Sequence, residues 1–236
     1  MLPLKSGLDL NSSPLPSWSI FGTYMPDGFD AYHVNGVTYL VTANEGDGRE
    51  YVSDATDAAD CTAQGGFLFD DGDCFHYLDE IRVKDLDASQ FTEDLVAKLG
   101  ADFQDQDKLG RLKVITDLGL EDSSACTTLA TTGQPIAFPE ETPVAGCVYE
   151  NLYSFGSRSF TIWDTDTGRA VFDSGSDMER ITAQQLGGSF NASNDSNDGD
   201  DRSDDKGPEP EAVEIATIND NTFAFIALER VGGVMV

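Results

Sequence analysis

The chain is 236 residues long and carries 43 Asp and Glu against 14 Lys and Arg, a formal charge of −29. No basic face survives that balance, which excludes reading of a DNA or RNA backbone and argues against docking on anionic lipid. At 39% hydrophobic the chain can bury a core, and no run approaches the roughly 18 apolar residues of a membrane span.

Residues 1–23 begin MLPLKSGLDLNSSPLP, which lacks the continuous apolar stretch of a signal peptide, and they read as a leader or the remnant of a preceding repeat. Residues 26–45 read as strand, Asn35-Gly36 turn and strand, because Asn-Gly supplies the positive φ of a two-residue hairpin turn. Residues 46–80 hold ten acids and one base and read by composition as an acidic loop insertion. Next, 89–99 place Phe91, Leu95 and Leu99 on one helical face and stop at Gly100. Residues 109–118 alternate around Leu112 and Val114 as a strand, and 152–174 read as consecutive strands with a turn at 164–168. Strand, Trp163-Asp164, Gly turn, strand is a hairpin found in propeller blades. Ser176-Asp-Met-Glu179 has the spacing of a capping box, opening a helix that ends near Gly187. Residues 191–209 form a second acidic insertion, and 210–229 return to strand, turn (Asn219-Asp220-Asn221) and strand. The expected class is all-β, with two short helices in loops.

The two hairpins form an internal repeat. PDGFDAYHVNGVTYLVTANE (26–45) and PEAVEIATINDNTFAFIALE (210–229) align without a gap, 184 positions apart. Pro26/Pro210, Asn35/Asn219, Thr38/Thr222, Ala43/Ala227 and Glu45/Glu229 are identical pairs, and Asp27/Glu211 and Asp30/Glu214 swap within type. Two such hairpins point to a β-repeat architecture. The strands amount to roughly two and a half blades, whereas a closed propeller has about 4–8. The last residues fall inside a strand of the second copy, so the expectation is a piece of a longer chain.

Cys61, Cys74, Cys126 and Cys147 fall into two local pairs within polar loops. Four cysteines allow three connectivities; Cys61–Cys74 with Cys126–Cys147 is the local one. A zinc cluster is disfavoured, because no CxxC spacing occurs and the chain has two histidines, His33 and His76. Disulfides imply an oxidising compartment. The glycosylation sequons at Asn11, Asn191 and Asn194 agree with it.

From here the residues resemble the choice-of-anchor I family. The resemblance rests on Met25-Pro-Asp-Gly, TYLVTANEGDGREY (38–51), EIRVKDL (80–86), LGRLKV (109–114), LYSFGSRSFTIWD (152–164), VFDSGSDMERITA (171–183), RSDDKGPEPE (202–211) and FIALERVGGVMV (225–236). These motifs span residues 24–236 in family order, although Ala212 replaces the usual glycine after GPEPE and both cysteine loops look inserted. The resemblance implies a β-propeller of YVTN/WD40-like shape, outside the cell or on its surface, and some relatives carry an alkaline-phosphatase label.

Candidate chemistry follows from the repeat. Asp27 and Glu211 open equivalent strands, while Glu45, Asp47 and Glu229 end them. Carboxylates converging on one mouth can bind Ca²⁺, which takes 6–8 oxygen ligands, so Ca²⁺ is the candidate cofactor. The GPEPE turn reads equally as rigid punctuation with its acids facing water. Asn194, Ser196, Asp198-Gly199 and Asp205 only loosely echo an EF-hand loop and read better as flexible acidic chain. Two histidines cannot furnish a two-zinc phosphatase centre, neither has a motif partner for Ser-His-Asp catalysis, and Arg49, Arg82, Arg158 and Arg230 are expected to pair with nearby carboxylates. The reading that results is a domain for binding or adhesion to a surface or matrix ligand, stabilised by Ca²⁺. The alternative is a metal-dependent phosphoesterase on the same scaffold.

Overall fold

The computed structural model describes residues 2–3, 17–138 and 140–236. The chain is all-β in class: short antiparallel sheets dominate, helices are few and brief, and among the described residues no sheet closes into a ring. It divides into two compact units, one of Met1–Asp47 with Phe155–Val236, the other of Gly48–Ser154.

The first unit holds both copies of the repeat. Phe29–Val34 and Val37–Asn44 form one hairpin, Pro210–Ile218 and Asn221–Leu228 the other. Their registers coincide at the sequence offset: Phe29 faces Thr42, and Val213 faces Ile226; Val34 faces Val37, and Ile218 faces Asn221. Asn35 and Gly36 take φ of 52° and 87°, and Asn219 and Asp220 take 48° and 62°, the left-handed pair that a two-residue hairpin turn demands. Each turn therefore has two central residues, one fewer than the Asn219-Asp220-Asn221 expectation.

The first hairpin goes on to build a four-stranded antiparallel sheet. Val37–Asn44 pairs with Ser159–Asp164, which pairs in turn with Arg169–Asp173. The Gly48–Ser154 unit is thus inserted between the second and third strands of one sheet. The second hairpin takes Val234–Met235 as a third strand. At the 164–168 turn the Asp164 carboxylate accepts from the Asp166 and Thr167 backbone N–H groups, both at 2.9 Å. The two copies meet where they begin. Gly28 N–H donates to Glu211 O at 2.8 Å, and Asp30 Oδ2 accepts from Ile215 N–H at 2.7 Å. The apolar core between the sheets consists of Val41, Ala43, Val213, Ile226 and Leu228, with Met178 from the helix Asp177–Leu186. Full burial of each larger side chain contributes about 1.5–3 kcal/mol.

Two expectations are corrected in this unit. The capping box at Ser176 does not form: Ser176 makes no side-chain cap bond. Glu179 turns inward instead, fully buried, with its carboxylate 2.7 Å from the Arg158 guanidinium. A buried guanidinium offers the carboxylate a far stronger partner than one exposed N–H. The 191–209 segment is likewise not a free loop. Asn191 is fully buried, and its amide donates to Glu179 Oε2 (2.8 Å) and Ser203 Oγ (3.1 Å).

The Gly48–Ser154 unit corrects a third. Residues 46–80, expected as loop, contain the strands Glu50–Asp54, Leu68–Asp70 and Asp73–Leu78 in one antiparallel sheet, with the helix Ala58–Gln64. Cys61–Cys74 joins that helix to the sheet, and Cys126–Cys147 closes the second pair, the local connectivity in both cases. Ten acids hid the strand pattern, because composition reports solvation and not pairing. The helix read over 89–99 is shorter, Glu93–Leu99, with the Thr92 hydroxyl accepting from Leu95 N–H; Phe91, Leu95 and Leu99 are all buried. Within 109–118 only Lys113–Ile115 is strand. With Leu129–Thr132 there are more helices than the two expected.

Candidate functional site

The ends of the two hairpins are placed by hydrogen bonding and by close backbone crossing. Asp27 N–H donates to Ala43 O (3.0 Å) and Ala43 N–H to Gly28 O (2.9 Å), which zips the Pro-Asp-Gly start onto the second strand. That strand is held near its end by a polar chain. Trp163 Nε1 donates to Thr42 Oγ1 (3.0 Å), Thr42 to Asn44 Oδ1 (2.9 Å), and the Asn44 amide to Ser159 Oγ (3.1 Å) and Thr161 Oγ1 (2.7 Å). Just beyond, Gly46 and Gly156 cross. A Cβ on Gly46 would lie 2.0 Å from Gly156 N, and one on Gly156 would lie 1.6 Å from Glu45 O. Both take positive φ, 74° and 67°, so glycine is required twice over. This crossing fixes where Glu45 sits.

The RSDDKGPEPE segment is held beside these strand ends by Arg158. Arg158 Nη2 donates to Ser203 O (3.0 Å) and Asp205 O (2.6 Å), so the buried Arg158–Glu179 pair holds the backbone on either side of Asp204 and directly before Lys206. Lys206 Nζ then pairs with Glu45, and lies 3.8 Å from Glu209 and 3.9 Å from Asp47. Glu209 is fully buried, takes φ of 50°, and is met by Arg202 at 2.8 Å and Arg230 at 3.4 Å; Arg230 also reaches Glu229 at 3.2 Å.

Asp27, Glu45, Asp47, Glu211 and Glu229 all line one pocket of about 530 Å³, together with Lys206 and Arg230. One carboxylate oxygen each from Glu45, Glu209 and Glu229 lie within 4.8 Å of one another, whereas Asp27, Asp47 and Glu211 are exposed at the rim. Ca²⁺–oxygen distances of about 2.3–2.6 Å let one ion bridge oxygens spread this far. One hard cation can thus reach an oxygen of each, although Lys206 already sits against Glu45 and Glu209, Arg202 against Glu209, and Arg230 against Glu209 and Glu229. Glu209 was missed by sequence reasoning, which had the GPEPE acids facing water. Its neighbours Pro208 and Pro210 mark a turn, and nothing local separates a buried glutamate there from an exposed one.

Burial raises the Glu45 carboxyl above the usual range against the pull of Lys206, and raises Glu229 against the pull of Arg230. For Lys206 burial pulls down, but the Glu45 carboxylate with Asp47 and Glu209 outweighs it, so the ammonium is held above its usual value. A carboxyl with a raised folded-state pKa binds its proton more tightly when folded. Glu45 and Glu229 thus favour the fold at low pH, and that contribution is lost as pH rises through their raised values.

Other sequence candidates lie elsewhere. Asn11 falls outside the described residues. Asn194 is exposed while Asn191 is buried, so in material secreted from a glycosylating host peptide mapping should find glycan on Asn194 and a bare Asn191. A glycan on Asn191 would overturn this burial. Along the EF-hand echo, Asp205 pairs with Arg202 at 3.1 Å and Asp200 accepts from Ser203 Oγ at 2.5 Å; among the described residues no carboxylate cluster gathers there. Arg49 pairs with Asp79 at 2.7 Å, and Arg82 donates to Arg111 O. His76 does have a serine partner, Ser53 Oγ at 2.9 Å. Gln64 Nε2 donates to Asp54 O (3.1 Å), which leaves Gln64 Oε1 to accept the Ser53 hydroxyl (2.8 Å). His76 is then the donor to Ser53, the wrong polarity for activating a nucleophile. Among the described residues no helix is long and apolar enough to cross a membrane.

A model of the Choice-of-anchor I domain matches residues 8–134 and 140–236. Gigasin-3a of Magallana gigas is a curated relative, 34% identical over 93 residues, which are 37% of this chain. The match spans 33% of that relative's own length. No solved structure matches the chain.

Proposed function

The chain belongs to the choice-of-anchor I family, and from that premise we propose that it is an extracellular or cell-surface β-propeller domain for binding, whose acidic pocket takes Ca²⁺. One observation carries the reading: carboxylates at matching positions of two repeat copies, far apart in sequence, line the same pocket. The two disulfides support an oxidising compartment. The blade-like order of the four-stranded sheet, with its Trp163-Asp164 hairpin, supports the propeller. Glu45, Glu209 and Glu229 would hold the ion, with Asp27, Asp47 and Glu211 within reach at the rim. Bound there, Ca²⁺ supplies a hard Lewis-acidic centre for oxygen ligands of a surface or matrix partner. The protein's own part is to hold those carboxylates together through the Gly46–Gly156 crossing and the Arg158 anchor.

The test is thermal unfolding of the full chain with and without millimolar Ca²⁺. A ligand that binds only the folded state stabilises it by about 2.7 kcal/mol at a hundredfold excess over Kd. Asp27→Asn and Glu211→Gln should each shrink the gain, whereas Asp201→Asn should not. A gain abolished only by acidic-segment variants would move the ion away from this pocket.

A second reading, metal-dependent phosphoester hydrolysis, is favoured by the cations Lys206 and Arg230 in the same pocket as the carboxylates. Sustained turnover of a phosphomonoester with Ca²⁺, lost on chelation, would replace the binding reading with this one.

A further inference from the structure

We infer that the outer edge of the Glu50–Asp54 strand is a docking site for an extended basic segment of a partner protein, which joins the sheet as a fourth strand. The inference concerns the Gly48–Ser154 unit alone and does not rest on the acidic pocket. Among the described residues this strand has a neighbour on one side only, Asp73–Leu78. Asp79 N–H donates to Arg49 O and Ala55 N–H to Gly72 O, so Arg49 and Ala55 turn their backbone groups to that side. Direction alternates along an antiparallel strand, so the groups of Glu50, Val52 and Asp54 point outward. Of these, Asp54 O accepts from Gln64 Nε2 at 3.1 Å, and the others meet no partner among the described residues. No proline or bulge blunts the edge: the extra residue at the one register shift is His76, on the inner strand. Tyr51 and Val52 stand 63% and 45% exposed along it.

Charge decides the occupant. Glu50, Val52 and Asp54 share one face of the sheet by the alternation of a strand. In register Asp54 faces Asp73, which faces Asp70, so three exposed carboxylates form a row that ends at the open edge. Like charges directly opposite one another destabilise a sheet, and among the described residues no Lys or Arg pairs with this row or with Glu50. Arg49, adjacent in sequence, is committed to Asp79. A second copy does not suit the edge, because antiparallel pairing about Val52 sets Glu50 of one copy against Asp54 of the other. A basic residue beside each of these acids reverses that repulsion. The segment that fits therefore reads basic, any, apolar, any, basic, with its apolar residue opposite Val52. The net charge of −29 draws such a segment toward the protein.

The probe is a fluorescein-labelled peptide with the core Lys-Thr-Val-Thr-Lys, titrated into the full chain and followed by anisotropy. Replacing both of its lysines by glutamate should weaken binding about tenfold or more. N-methylation of its valine, which removes one ladder donor and keeps the charges, should weaken binding about tenfold. Val52→Pro should weaken it as much, and the fold tolerates this change because the lost N–H faces solvent. The double variant Glu50→Lys, Asp54→Lys should prefer the glutamate peptide. In wild type the lysine peptide should slow hydrogen exchange at the Val52 amide. No binding at millimolar peptide overturns the inference. Equal binding by Val52→Pro or by the N-methylated peptide also overturns it, since charge then acts without strand addition. Self-association of the wild type that Val52→Pro abolishes gives the edge to a second copy and overturns it too.

Discussion

Glu179→Ala is expected to destabilise the unit of Met1–Asp47 with Phe155–Val236 by about 3–5 kcal/mol, because it leaves the Arg158 guanidinium buried without its counter-charge. Arg158 is 1% exposed and Glu179 is fully buried, so water cannot replace the lost partner. The damage extends beyond one pair. Glu179 also accepts from Asn191, and Arg158 also donates to Ser203 O and Asp205 O, so helix Asp177–Leu186 and the 191–209 segment share this anchor. Glu179→Gln should cost less, since its amide oxygen still accepts from Arg158, although the charge and the acceptor for the Asn191 amide are lost. Arg158→Met with Glu179→Leu should recover part of the loss but not all, because two backbone carbonyls lose their donor. Urea unfolding followed by the fluorescence of Trp163 in a Trp18→Phe background measures these differences. A cost below about 1 kcal/mol for Glu179→Ala, the range of an exposed ion pair, would show that solvent reaches this site.

Opening the disulfides should act elsewhere. Cys61–Cys74 and Cys126–Cys147 span 13 and 21 residues, and closing loops of that size stabilises by about 3 kcal/mol each in the chain-entropy treatment. Both lie in Gly48–Ser154, and all four cysteines are buried, so the reduced thiols also lose packing if the loops open. Paired Cys→Ser replacement should therefore make residues 48–154 exchange amide hydrogens and yield to protease far faster. The sheets of 29–44 and 159–228 should keep their protection, and any Ca²⁺-dependent gain should survive. Unchanged protection of 48–154 in the reduced protein would mean that its core of Leu95, Leu109, Leu112 and Leu152 suffices alone. Four free thiols in protein from its native source would remove the argument for an oxidising compartment.

Local chemistry made part of this molecule legible from sequence. Asn35-Gly36 and Asn219-Asp220 set their own turns, since only residues tolerant of positive φ fit there, and the matched hairpin registers follow from those turns. The cysteine pairs are close in sequence and join as neighbours. Four of the acids around the pocket, Asp27, Glu45, Glu211 and Glu229, were reachable because the repeat placed them at equivalent strand ends, and Asp47 lies just beyond the first copy. What only the tertiary structure decided is the partner of each charge. Lys206 meets Glu45 across 161 residues, and Arg158 meets Glu179 and Ser203 through separate elements. Glu179 looked like a helix cap and Glu209 like a solvated turn acid. Glu179 is buried against Arg158 of another element, and Glu209 against Arg230 from beyond its strand as well as Arg202 of its own segment. Period, turn type and cysteine spacing are properties of a few consecutive residues, whereas the burial of a carboxylate depends on which distant cation the folded backbone brings to it.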